Sequence, residues 1–328
     1  YDRDRDLVSP AYNPARHAGV MMSLYQVAGS HDPAALAAAD AGLGYVLERL
    51  VEGPGFVAFR PRGEDVPLGA NSLLLAALVL RRDLTGDAVH DDLMRGLASF
   101  VVGQQLPDGN MLAYWSPATG APIPEATGKF ATGEAAWALA LFDAQFPGEG
   151  WAEAAARTVD YLNRHRDRDE GRISRLPDHW AAYAVEALPA PLRTDERIDY
   201  ARQLAGYFGI RLRFESQRTG EGINLLTRWY PGPPAGVGTA GEGIGALWRL
   251  SLADDRLADL RPNIEARLVC TAGLMVERQV TEAQAAGAAR PALQEGAWFY
   301  RGYTQMDDQQ HVISALLAAL PILEGRTR

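Results

Sequence analysis

Ala131-Thr132-Gly133-Glu134-Ala135-Ala136-Trp137-Ala138-Leu139 and Thr239-Ala240-Gly241-Glu242-Gly243-Ile244-Gly245-Ala246-Leu247 are two renderings of one pattern. Each sets a Gly-Glu ahead of a run rich in Ala and Leu, about a hundred residues from the other. A structural unit is therefore used more than once, and the chain reads as a repeat protein. Four further stretches share the character: Arg16 to Ala28, Leu68 to Leu80, Asp178 to Leu188 and Asp308 to Leu323. Past their first turns they carry almost no charge. A helix apolar on nearly every face must be buried on nearly every face, so these six are expected to form an inner layer.

Longer helices are expected between them, at Ala34 to Val51, Asp87 to Gln105, Trp151 to His165, Thr194 to Phe208 and Asp255 to Val280. Tyr45, Leu47 and Leu50 against Glu48, Arg49 and Glu52 is the pattern of a helix with one wet side, which suits an outer layer. After several outer helices comes a loop with glycine and an aromatic residue, as at Gly55-Phe56, Gly109 with Tyr114-Trp115, Gly222 with Trp229-Tyr230 and Gly296 with Trp298-Phe299-Tyr300. Then the next inner helix begins.

Outer helix, loop and inner helix, recurring roughly every fifty to seventy residues, resembles the (α/α)6 toroid, or six-hairpin fold. Gln104-Gln105-Leu106-Pro107-Asp108-Gly109 also resembles the Gln-and-aromatic repeat element of terpene cyclases, which use a related toroid. The resemblance covers nearly the whole chain. It implies an all-α fold and one domain over residues 1–328, with residues 1–10 as an extended, solvated lead-in. It leaves the activity open, because the fold hosts glycosidases, polysaccharide lyases, sugar epimerases, terpene cyclases, protein prenyltransferases and lanthionine cyclases. Six inner helices against five outer ones, and no initiator Met, lead us to expect sequence upstream of Tyr1.

Composition narrows the field. A formal charge of −9 and a single lysine, Lys129, argue against binding a phosphate backbone, which needs clustered cations. No apolar run approaches the ~20 residues that span a bilayer. Cys270 is alone, which excludes an intrachain disulfide and a cysteine-rich zinc site, and its apolar surroundings predict a buried, inert thiol. No cofactor is expected. A leader removed on export would explain the missing Met, so a secreted or periplasmic location is expected; a cytoplasmic one stays open. Oligomeric state is not legible.

The resemblance implies that the inner helices run parallel, with their N-termini at one end of a central cavity. The polar residues that open these helices are therefore the candidate site. As catalytic groups we single out Glu134, Glu242, Asp178, Asp308, His179 and His311. As substrate-binding groups we single out Arg16, His17 and Asn71, with the loop aromatics Tyr114, Trp115, Trp180, Trp229, Tyr230, Trp298, Tyr300 and Tyr303 as a rim on which sugar rings could stack. The bland alternative is capping: Thr, Asp and Asn satisfy free N–H groups at a helix start, and Glu complements its dipole. Arg16 suits either a ligand carboxylate or an internal ion pair with Glu134, Glu242 or Asp308.

The leading reading is a carbohydrate-active enzyme on an oligo- or polysaccharide, by hydrolysis with two carboxylates or by elimination or epimerisation with histidine as proton carrier. Terpene cyclase chemistry is the first alternative; Gln305-Met306-Asp307-Asp308 departs from the Asp-x-Asp-Asp acid motif of the protonating cyclases. A metal site from His17, His179, His311 and a glutamate is a second, without tight ligand spacing in its favour, and a non-catalytic binding toroid is a third. Pro231-Gly232-Pro233-Pro234 and Gly236-Val237-Gly238 lack the Lys-Ser/Thr and preceding strand of a phosphate loop and are expected to be a rim loop. No Gly-x-Ser-x-Gly elbow is present.

Overall fold

Asn13 and Pro14 set the first helix. The Asn13 side chain accepts the Arg16 N–H at 3.0 Å, and Pro14 takes the first helical position, where a missing N–H is harmless. The computed structural model describes residues 1–61, 65–169 and 177–325. It forms two compact units, one of Asn13–Gln203 and one of Tyr1–Tyr12 with Leu204–Arg328.

The unit Asn13–Gln203 runs α1 (Pro14–Ser30), α2 (Ala34–Leu47), β1 (Leu50–Gly53), β2 (Phe56–Phe59), β3 (Val66–Pro67), α3 (Leu68–Thr85), α4 (Asp91–Gly103), β4 (Tyr114–Ser116), β5 (Ala121–Pro122), α5 (Ala131–Asp143), α6 (Trp151–Tyr161), a π-helical turn at Leu162–Arg166, α7 (Asp167–Asp169) and α8 (His179–Ala187). α9 (Asp195–Glu215) carries the chain out of it. Helix α1 packs on α3, α3 on α5 and α5 on α8, while α2, α4 and α6 back α1, α3 and α5 in turn. That is the expected inner and outer layering. Every residue from Leu68 to Val79 is buried, whereas α2 buries only Ala39, Leu43 and Val46. The starts of α3, α5 and α8 lie together: the Glu134 carboxylate occupies the space a Cβ on Gly69 would need, and Gly133 abuts Asp178 and the Trp180 Cβ. These three helices therefore run parallel from one end.

Two expectations need correction in this unit. Leu50 and Val51 do not end α2; they pair with Phe59 and Ala58 in an antiparallel hairpin turned at Gly55, whose φ of 78° suits glycine. Tyr114 and Trp115 likewise pair with Pro67 and Val66. The aromatic loops are thus short β ribbons, because alternating bulky residues fit a half-buried pleat.

The second unit comprises residues 1–12, the end of α9, α10 (Gly222–Arg228), α11 (Pro234–Ala253), α12 (Arg261–Arg278), α13 (Glu282–Ala285) and α14 (Met306–Leu323). α11 and α14 lie side by side, backed by α12. Their register is parallel: Ala235 meets Asp308, Gly238 meets His311, Gly241 meets Ala315 and Gly245 meets Ala318. Glycine is required for this approach, since a Cβ on Gly238 would stand 2.6 Å from the His311 carbonyl carbon and 2.7 Å from the Val312 nitrogen. Pro234 to Gly238 are therefore helix rather than the expected rim loop. Pro234 at the first helical position nucleates them, and packing against α14 outweighs the helix-weakening effect of glycine.

The lead-in is largely exposed, as expected, yet it is tied down. The Tyr1 ammonium donates to the Thr304 carbonyl at 2.8 Å, Arg3 N–H donates to Gly302 at 2.8 Å, and the Arg3 guanidinium lies 4.7 Å from the centre of the Phe299 ring. Cys270 is half-buried rather than buried, since α12 turns Ile264, Leu268, Thr271, Ala272 and Met275 inward. Among the described residues no helix is long and apolar enough to cross a membrane.

Candidate active site

In the unit Asn13–Gln203 the chemistry gathers at the start of α5 and α8. Asp178 is the N-cap of α8: Oδ1 accepts the Trp180 N–H at 2.9 Å and Oδ2 accepts Arg166 at 2.6 Å. The same guanidinium donates to Asp167 Oδ1 at 3.0 and 2.9 Å, and Tyr200 OH donates to Asp167 Oδ2 at 2.7 Å. Burial raises the Asp178 carboxyl, with Arg166 pulling against it. Against its own burial, Arg166 is held charged by Asp178 and its neighbours. Both Asp178 oxygens are engaged, so this residue, expected as a catalytic carboxylate, is a cap and an ion-pair anchor. Its partner Arg166 projects from a π turn, a local widening that commonly re-aims side chains at functional sites.

Glu134 sits in the first turn of α5, 8% exposed. One turn further on, Trp137 stacks on Trp180 with ring centres 5.2 Å apart, and the His179 ring lies 4.2 Å from that of Trp180. With Tyr183 these rings make a buried aromatic wall at the start of α8. Trp180, expected on the rim, belongs to that wall.

Two expected binding residues are brackets instead. Asn71 is wholly buried; its Oδ1 accepts the Phe59 N–H at 2.6 Å and its amide donates to Phe59 and Pro67 carbonyls at 3.0 and 2.8 Å. It fixes the β hairpin to α3. His17 Nε2 donates to the Gly42 carbonyl at 3.0 Å, and the ring stacks on Tyr45, tying α1 to α2. Arg16 contributes its N–H to the Asn13 cap. Tyr114 is exposed, while Trp115 turns its ring onto Phe56 at 5.3 Å.

In the second unit Glu242 Oε2 and His311 Nδ1 are 2.7 Å apart. Glu242 has no exposed surface, whereas the His311 side chain keeps 12%. Burial raises the Glu242 carboxyl; His311 and a hydrogen bond from Ser314 pull it down, and Asp307 adds to the rise. Neither residue lies in a first turn as expected. α11 starts at Pro234, which places Glu242 in its third turn, and α14 starts at Met306. Asp308, expected to be catalytic, is a cap: Oδ2 accepts Gln305 N–H at 3.0 Å and Oδ1 accepts Ala235 N–H at 3.1 Å. The aromatics divide too. Trp229, Tyr230 and Tyr303 are exposed, and Arg301 lies 5.0 Å from the centre of the Tyr230 ring. Trp298 is instead buried, donating to the Met275 carbonyl at 2.7 Å.

The Glu242–His311 contact can hold a proton in more than one way. With one extra proton, either the imidazole is cationic or the carboxyl is neutral and donates to Nδ1; in both arrangements Nε2 holds a hydrogen. With that proton gone, the carboxylate accepts from Nδ1–H and Nε2 presents a lone pair. The pair thus alternates between acid and base at a single atom, with the carboxylate fixing the ring.

No family model and no curated protein matches the chain. Solved structures do. A glycoside hydrolase family 76 mannosidase from Bacteroides thetaiotaomicron VPI-5482 superposes with a TM-score of 0.65 at 11% identity, covering 98% of this chain and 92% of that one. The cellobiose 2-epimerase of Spirochaeta thermophila DSM 6192 gives 0.61 at 14% identity over 94% of this chain and 86% of its own. A family 76 α-1,6-mannanase from a Salegentibacter species gives 0.62 at 14%, over 94% and 90%. The fold is the (α/α)6 toroid. At these identities the toroid likeness speaks for architecture, and the chemistry rests on the residues.

Proposed function

We propose that this toroid is a carbohydrate-active enzyme that moves a proton on a saccharide through Glu242 and His311. The observation that carries the reading is the 2.7 Å contact between a carboxylate with no exposed surface and an imidazole that keeps some. General acid–base catalysis needs a proton-exchanging group held in one orientation, and here a buried carboxylate holds an imidazole, the side chain whose ordinary range lies near neutrality. Toroids named as a cellobiose epimerase and as mannanases support a saccharide as substrate. The match over 94% or more of the chain supports one working domain. A polymeric substrate suits a location outside the cytoplasm.

Proton transfer at a sugar carbon, as in epimerisation, fits a histidine-centred pair. Hydrolysis needs a carboxylic acid and a second carboxylate, and Asp178 and Asp308 are committed to caps, which leaves Glu134 as the candidate for that chemistry. The test is incubation of the whole chain with cellobiose and with α-1,6-linked mannan fragments in D2O, followed by NMR. Epimerisation through a carbon-bound proton places deuterium beside the anomeric carbon, and hydrolysis releases new reducing ends. Absence of both across a panel of neutral and acidic saccharides, with folded protein, would overturn the proposal.

A further inference from the structure

Two glutamines stand side by side near the start of α14 and fare differently. Gln309 is engaged at both ends: its Oε1 accepts the Trp298 N–H at 3.3 Å, and its Nε2 donates to the Trp298 carbonyl at 2.9 Å and to Thr304 Oγ1 at 2.6 Å. Gln310 is 4% exposed, and its Nε2 is enclosed without a hydrogen-bond partner among the described residues. Leaving a buried amide unmet forfeits its hydration with nothing in return, so a native protein seldom does so without a use for the group. Helix geometry says where this one stands. Residues three and four apart are neighbours, with Cβ atoms about 5–6 Å apart. Gln310 is thus beside Asp307 in one turn and Ser314 in the next, and the same two residues are the neighbours of His311. Both also act on Glu242, Ser314 by a hydrogen bond and Asp307 by its charge. Asp307, Gln310, His311 and Ser314 therefore form one patch of α14, with His311 on the flank that meets α11 at Gly238 and Gln310 on the other.

We propose that Gln310 binds a hydroxyl group of the saccharide and so holds the sugar ring against His311. The sugar part of this rests on the function proposed above; the binding role rests on the enclosed, unmet amide beside the Glu242–His311 pair. An amide donates from one end and accepts at the other, and a half turn about its last bond exchanges the two. A sugar hydroxyl both donates and accepts, so it can bond whichever end is turned to it, whereas a carboxylate or an ammonium could meet only one. Proton exchange at a single sugar atom needs the ring fixed from a second point, because misplacement by about 1 Å is costly in rate. Gln310 supplies that point from a helix, which holds a binding group more precisely than a loop does.

NMR titration of the whole chain with cellobiose, α-1,6-mannobiose and the monodeoxy forms of each tests this, alongside thermal denaturation. At least one of the two parent sugars is expected to bind, and loss of one particular hydroxyl should weaken it about three- to tenfold. Gln310→Met, which keeps the length of the side chain without its amide, should weaken the intact sugar by the same factor and no longer distinguish that deoxy form. Without ligand the variant should melt no lower than the parent, because an unmet amide has been removed. Gln310→Leu gives a second reading should the Met variant fold poorly. Unchanged binding of the intact sugar by the variants, equal sensitivity of parent and variants to every deoxy form, or no binding of either sugar by the folded parent would each overturn the proposal. So would a ligand-free melting temperature several degrees lower in both variants, which would show the amide to be bonded within the protein. Gln310-dependent recognition of one hydroxyl without turnover of any saccharide would sink the proposed function and leave this inference standing; turnover with binding indifferent to Gln310 would do the reverse.

Discussion

Replacing Glu242 by Gln keeps the shape of the side chain and removes its charge. Two opposing effects on stability follow. The hydrogen bonds from His311 and Ser314 lose their charge assistance, at a cost of about 1.5–3 kcal/mol. The ionised carboxylate no longer has to be kept from water at zero exposure, which returns several kcal/mol. The variant should therefore be as stable as the parent or more so. Its advantage has a pH signature. The folded Glu242 carboxyl titrates above its ordinary 4.5, so its favourable share in stability is complete below that value and fades as pH rises through the folded value. Chemical denaturation at a series of pH values should thus show the Gln variant gaining on the parent from about pH 4.5 upward. Turnover should move the other way. A Gln beside Nδ1 cannot exchange a proton with the ring, so the rate per folded molecule should fall by about 10² to 10⁴. Activity within threefold of the parent would refute the proton-carrier reasoning, and a sharp loss of stability at neutral pH would show that the carboxylate is a structural anion.

Other outcomes follow from the same contacts. Asn71→Ala strips three buried hydrogen bonds and strands the Phe59 N–H, so denaturant titration should show a loss of about 3 kcal/mol, with activity per folded molecule retained. Asp178→Asn leaves Arg166 with only Asp167, a broken buried pair that should cost about 3 kcal/mol and lower the melting temperature by several degrees. Gly238→Ala forces a methyl against the backbone at His311 and Val312, for about 1–3 kcal/mol; because the same backbone carries the imidazole, kinetics should also show a fall in rate that Asn71→Ala does not.

The layering was legible in the sequence because burial is a crude, whole-face property: a helix such as Leu68–Thr85 with no charge until Arg81 has nowhere to go but inside. The Gly-Glu pairs were legible as sites of close packing and acidity, and the likeness ended there. Glu134 is in a first turn and Glu242 in a third, since a run of Pro and Gly that reads as a loop becomes helix once α14 is pressed against it. The caps at Asp178 and Asp308 show why residue type alone misled: an aspartate at a helix start has the same local signature whether it serves the backbone or a substrate. Arg166 and Tyr200 left no trace in the sequence pattern. Their network joins a π turn, a cap and an outer helix, and no fixed spacing announces it. The short strands were too brief for their alternation to register.

The glycine seating of α11 on α14 means that the separation of Glu242 from His311 is set by close contact at positions 238, 241 and 245, against the backbone at His311 and Val312 and the Cβ atoms of Ala315 and Ala318, more than by the fifty-odd residues that join the two helices. Within that connecting stretch α12 still backs both helices, so length and composition are free to vary only in its exposed parts, such as residues 286–293. Loops grafted there should leave the Glu242–His311 pair in register, which makes that segment, and not α12, the place where the chain can be lengthened without disturbing the pair.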